Sequence, residues 1–275
     1  MRALGWIALR VYPFALLLLV WSLLSKYGVL GNQFVMPSPD RVWETFKKLV
    51  DDGTLGAETA TTLQRVLAAY AMAVVAGIVI GTLIGRLRYV RLALRPIASF
   101  LFPTPKVALY PAMFIVFGLG SASKIAFGFS EALFPILLAT AAGTSQIEPR
   151  LLWSAAALGT PARTALVKVV IPAALPTILT GARIGLVGAI IGVYMGEMIA
   201  GGDGIGHLMA DAYRTLHTAD MYASIITISL IGFALDRMFL LARGRLLAWT
   251  AEEDMQAADI RRSNSSASGQ SGPAI

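Results

Sequence analysis

The chain contains no cysteine, two histidines and few charges for its length: 23 lysines and arginines and 16 aspartates and glutamates among 275 residues. The missing cysteine excludes disulfides, thiolate metal sites and cysteine nucleophiles. Two histidines, His207 and His217, are too few and too far apart for a metal centre or an acid–base relay. Charged residues make up 14% of the chain, against roughly 25% in a typical soluble domain. What fills the space is apolar: 56% hydrophobic residues and a mean hydropathy of +0.69. Composition therefore excludes disorder, collagen and a disulfide scaffold, and argues against an ordinary soluble enzyme.

The charges are unevenly spread, leaving gaps of membrane-spanning length. A bilayer core needs about 20 mostly apolar residues in a helix. Six segments meet this, near 9–29, 63–87, 97–119, 125–143, 177–200 and 221–241. Helices are the expected form, because an open sheet cannot satisfy its backbone in lipid. Arg2 and Arg10 precede an apolar run as in a secretory signal, yet no small-x-small cleavage site follows, so the run reads as a retained first helix. With the N-terminus inside, fourteen basic residues fall on the cytoplasmic side and six outside. Both termini are thus expected in the cytoplasm. The net charge of +7 then records topology rather than a nucleic-acid footprint.

The domain reading follows: a first transmembrane helix (1–30), an outer loop with a short amphipathic helix (31–62), a core (63–245) holding a cytoplasmic loop at 145–176, and a cytoplasmic tail (246–275), disordered after 262. In the outer loop, Val42, Phe46, Leu49 and Val50 share a helical face. In the cytoplasmic loop, Pro149 opens a short helix that Gly159, Thr160 and Pro161 stop. The helix carries Trp153 and several alanines, and is too short to cross a membrane. An exposed apolar patch there marks either a partner's docking site or packing against the chain's own membrane domain.

Two spans carry small residues four apart, Gly77, Gly81, Gly85 and Gly188, Gly192, Gly196, a pattern for close helix packing or for a hinge or pore-lining groove. Pro103, Pro105 and Pro111 interrupt the third span as a kinked gate or a re-entrant start. Glu197 lies deep in the fifth span with Tyr194 one turn earlier. A carboxylate there lines a pathway, or pairs with Arg183 or Arg65. Asp236 and Arg237 read as interfacial. No stretch fits Gly-x4-Gly-Lys-Ser/Thr, so the chain has no phosphate-cradling loop.

The cytoplasmic loop resembles that of the inner-membrane permeases of bacterial ABC importers. Their signature is Glu-Ala-Ala, three residues, Gly, nine residues, then Ile-x-Leu-Pro. Here Gly159 is followed by nine residues and Val169-Val170-Ile171-Pro172, while Trp153, Ser154 and Ala155 occupy the Glu-Ala-Ala positions. The segments 103–111, 117–124, 170–183 and 196–206 are similar to the nitrate, sulfonate and taurine branch.

This resemblance implies a type I importer fold with six helices in a bacterial inner membrane and no catalytic residue. It implies a second permease subunit (the same chain or a different one), cytoplasmic ATPases that bind ATP and magnesium, and a periplasmic solute-binding protein. It implies no metal or cofactor in this chain. The coupling helix would comprise Trp153, Ser154, Ala155, Ala156, Ala157 and Leu158 with the turn Gly159, Thr160, Pro161. Pathway candidates are Glu197, Tyr194, Pro111 and Gly192, and the substrate a small anion. A membrane-embedded enzyme would need more clustered acids or histidines than Glu197 alone, and a secondary transporter half would need inverted repeats.

Overall fold

The computed structural model describes residues 2–27 and 35–247, with side chains from Tyr12 onward except Phe14. The expectations for 28–34 and for the tail from 248 lie outside the described residues. Every regular element among the described residues is helical: α1 (Arg2–Tyr27), α2 (Pro39–Asp51), α3 (Thr54–Arg86), α4 (Arg88–Leu101), a 3-10 turn (Lys106–Leu109), α5 (Tyr110–Phe117), α6 (Ser121–Ser145), α7 (Pro149–Ala157), α8 (Ala162–Ala165), a π-helical turn (Leu166–Val170), α9 (Ile171–Ala200), α10 (Ile205–Arg214) and α11 (Thr218–Leu246).

Among the described residues, four helices are long and apolar enough to cross a membrane: α3, α6, the continuous rod Ala162–Ala200 and α11. The α4–α5 pair, bent by 94°, makes a fifth if it forms one span. The bend has a chemical cause. Proline cannot donate a backbone hydrogen bond and pushes the residue before it out of helical geometry, so Pro103 and Pro105 end α4. Thr104 Oγ1 donates to the orphaned carbonyl of Phe100 at 3.0 Å, and Lys106 Nζ to that of Phe102 at 3.4 Å.

The centre of the molecule is α6, packed between α3 and α9. Val66, Ala69 and Ala73 of α3, Ala132 and Ile136 of α6, and Leu186, Ala189 and Val193 of α9 form the core. The glycine ridges are the contact surfaces. A Cβ on Gly77 would fall 2.7 Å from Ile136 Cγ2, and one on Gly81 2.6 Å from both the Leu137 carbonyl and Thr140 Cβ. Gly188 abuts the Glu131 backbone, and Gly192 lies against Gly128. Small residues here let backbones touch where lipid offers no hydrophobic drive to associate. Gly81→Val is expected to force α3 and α6 apart and cost about 1–3 kcal/mol. A lowered melting temperature in detergent would register this, and an unchanged one would contradict the packing.

Two boundaries differ from the sequence reading. The outer loop does not reach Thr62, because α3 starts at Thr54. Thr54–Thr62 is polar but helix-compatible. Its polarity places those turns outside the hydrocarbon, not outside the helix. The amphipathic helix runs Pro39–Asp51, opened by Ser38, whose hydroxyl accepts from Arg41 N at 3.4 Å. It buries Val42 and half-buries Phe46 and Leu49, but leaves Val50 exposed. α1 is tied to the N-terminal end of α11, with Trp21 Nε1 donating to Pro37 O at 3.1 Å and its ring 5.7 Å from Tyr222.

Candidate functional site

At one end of the bundle, α7 stands out from the surface. Pro149 occupies its first turn, where a missing N–H costs nothing. Its end is a Schellman turn: Thr160 N donates to Ala155 O at 3.0 Å, Gly159 N donates to Ala156 O at 2.9 Å, and Gly159 holds φ of +70°. Ala155 is buried, whereas Trp153 is 70% and Leu158 84% exposed. Leu151 and Val167 are also exposed. The result is a short rigid helix with an apolar outward face. Three residues beyond Gly159 begins the rod Ala162–Ala200, which traverses the core. A force applied to α7 therefore reaches α9 through one tight turn.

At the opposite end, α3, α6 and α9 share a polar cluster. Arg65 Nη1 donates to Glu197 Oε1 at 2.8 Å, and Arg65 Nη2 to Asp203 Oδ1 at 2.5 Å. The same guanidinium donates to Ser121 Oγ at 2.9 and 3.1 Å. Lys124 Nζ donates to Asp203 Oδ1 and to Gly201 O, both at 2.8 Å. Glu197 Oε2 accepts from Thr62 Oγ1 at 2.8 Å and Gly206 N at 3.1 Å, while Thr62 Oγ1 accepts from Ile205 N at 2.9 Å. Glu58 accepts from Gly204 N. Glu197 is fully buried and Arg65 3% exposed. The 201–204 loop closes over the pair because Gly201, Gly202 and Gly204 take φ of +71°, +95° and +99°, and a Cβ on Gly204 would strike the Glu197 carboxylate.

Asp203 lies in this loop, beyond the end of α9. Burial raises its carboxyl pKa, but hydrogen bonds from Lys124 and Arg65 outweigh that and hold it below its ordinary value. A group with a depressed folded-state pKa stabilises the fold above its unfolded value, and that contribution disappears as pH falls through the folded one. The ordinary aspartate value is about 3.9. Melting temperatures of the wild type and Asp203→Asn should thus differ at neutral pH and converge as pH is lowered below about 4. A constant difference across that range would contradict the assignment.

The pathway candidates separate. Glu197 occupies the last turn of α9 rather than the middle of a span, and of the two arginines considered for it, Arg65 is the partner. Arg183 instead makes a bidentate pair with Asp236, at 2.7 and 2.9 Å. Tyr194 has a buried hydroxyl without a hydrogen-bond partner among the described residues. Gly192 is a helix contact. Pro111 is exposed beside Tyr110, whose hydroxyl donates to Gly196 O at 2.7 Å. The sequence reading missed Thr62, Lys124 and Asp203 as members of one cluster. The available signal was the run Gly201-Gly202-Asp203-Gly204, one turn after Glu197.

The chain is 32% identical to the taurine transport system permease protein TauC of Escherichia coli over 251 residues, covering 90% of this chain and 91% of that protein. It is 30% identical to the nitrate import permease protein NrtB of Synechocystis over 81% of this chain and 83% of that protein. It is 29% identical to the putative aliphatic sulfonates transport permease protein SsuC of Bacillus subtilis over 89% and 88%. A family model described as "binding-protein-dependent transport system inner membrane component" matches residues 73–246, from the α3 glycine ridge through α7 and its turn to the end of α11. The chain belongs to that family, the membrane permeases of ABC transporters.

Proposed function

We propose that this permease forms half of an import pathway for a small anion such as a sulfonate, taurine or nitrate, with six spans and both termini in the cytoplasm of a bacterial cell. A second permease subunit completes the pathway, most simply a second copy. A periplasmic binding protein delivers the solute to the outer end, and cytoplasmic ATPases, which hold ATP and magnesium, grip α7. The observation that carries this reading is the rigid apolar α7 joined by the Gly159 turn to the rod Ala162–Ala200. Closure of the ATPases would move α7 as a lever. Where the family's signature has glutamate, the exposed indole of Trp153 offers an apolar contact, so this ATPase groove is expected to be lined by apolar side chains. The cluster around Arg65 and Glu197 serves to lock the outer ends of three spans together, and Gly192 to pack them.

ATP hydrolysis should be absent from the purified chain and present when a separate ATPase subunit is added. Hydrolysis by this chain alone would contradict the reading.

A further inference from the structure

A further charged pair, separate from Arg65–Glu197 and Arg183–Asp236, lies far from either end of α6. Lys106 Nζ sits 3.2 Å from Glu131 Oε2, 3.4 Å from Phe102 O and 5.4 Å from the centre of the Phe134 ring. Glu131 comes ten residues after the start of α6 and fourteen before its end. At 1.5 Å per residue that is about 15 Å from one end and 21 Å from the other, near the middle of the membrane. The pair closes the break between α4 and α5, where the backbone is not helical. Lys106 is 8% exposed, but Pro103, Pro105, Val107 and Leu109 around it are open on the surface of the single chain.

Lipid cannot adjoin such a face. Non-helical backbone at membrane depth persists only against protein or in a water-filled cavity, and an ionisable pair there faces the same two surroundings. The Glu131 side chain is 26% exposed while the ammonium behind it is covered, so the carboxylate is the half of the pair that faces whatever adjoins the break.

We propose that Lys106 is the fixed cation of the translocation pathway and Glu131 its resident counter-ion, which an anionic substrate displaces as it passes the α4–α5 break. The proposal rests on the import function above and adds to it the residues that select for charge. Exchange of one oxyanion for another on the ammonium leaves the buried charge compensated throughout. At rest the carboxylate covers the cation, so the pathway has no standing site in which an anion could remain trapped.

The absence of native cysteine makes the test direct, since one introduced thiol is the only one in the chain. Thr104→Cys, at the break, is made in the assembled complex in proteoliposomes, and its reaction with anionic ethylsulfonate methanethiosulfonate is compared with that of the cationic trimethylammonium reagent. Leu230→Cys, on the exposed face of α11 well inside the span, is the lipid-side control. Thr104→Cys should react and Leu230→Cys should not. Adding Glu131→Gln should raise the anionic-to-cationic rate ratio about tenfold, and adding Lys106→Gln should lower it about tenfold. The neutral double variant should return it toward the starting value, which covers the case in which one single variant fails to assemble. An unreactive Thr104→Cys, or a ratio indifferent to both charges, would overturn the proposal. Labelling needs no ATP, so the import reading fails separately, if the unlabelled complex shows no ATP-driven uptake.

Discussion

Arg65→Met is expected to destabilise the protein by about 3–5 kcal/mol, because it leaves Glu197 buried without its cation. For a chain of this size that corresponds to a melting temperature lower by about 10 °C. The carboxylate would keep only Thr62 and the Gly206 amide, neither charged. Asp203 would keep Lys124. Two comparisons isolate the cause. Arg65→Lys should fall between wild type and Arg65→Met, since an ammonium can neutralise Glu197 but cannot span Glu197, Asp203 and Ser121 as the planar guanidinium does. Arg65→Met combined with Glu197→Gln should cost less than Arg65→Met alone, because no uncompensated buried charge remains. Thermal melting of the detergent-solubilised variants measures all three. A double variant that simply adds the two single losses would show that the residues act independently.

The second large effect is functional. Leu158→Glu should abolish substrate uptake while leaving membrane insertion and melting temperature close to wild type. Leu158 is 84% exposed, so its replacement disturbs nothing inside the chain. In an apolar groove of a partner, the new carboxylate would be desolvated without a counter-charge, at a cost of several kcal/mol. Gly159→Val tests the turn rather than the contact. Among the described residues nothing lies within 4 Å of a Cβ there, so the cost is conformational: a branched side chain at φ of +70° loses roughly 1–2 kcal/mol or more and unwinds the Schellman turn. The helix would still form but would no longer be fixed to the rod that follows. Gly159→Ala, with the smaller side chain, should retain part of the uptake that Gly159→Val loses.

These outcomes also mark how much was legible in the residues themselves. The apolar gaps between charges locate α3, α6, α9 and α11, since the membrane imposes length and composition locally. Pro149 and Gly159-Thr160-Pro161 delimit α7 for the same reason: a first-turn proline and a left-handed glycine act within a few residues. The start of α3 was not legible, because Thr54–Thr62 is polar enough to pass for loop. The partition of four ionisable residues into Arg65 with Glu197 and Arg183 with Asp236 was not legible either. Arg65 and Glu197 are 132 residues apart, and only the packing of α3 against α9 decides between the arginines. Prolines at 103 and 105 announced the break, but not the ion pair that seals it. Nothing in the local sequence links Lys106 to a glutamate on α6, 25 residues away.

Import requires that α7 carry the drive from a separate ATPase into this chain. The most direct measurement follows ATP hydrolysis and anion uptake together in proteoliposomes containing the full complex, with wild type and Leu158→Glu side by side. The wild type should hydrolyse ATP and accumulate the anion, whereas Leu158→Glu should show uptake at background with the permease still folded in the membrane. Accumulation by Leu158→Glu at the wild-type rate would contradict the account.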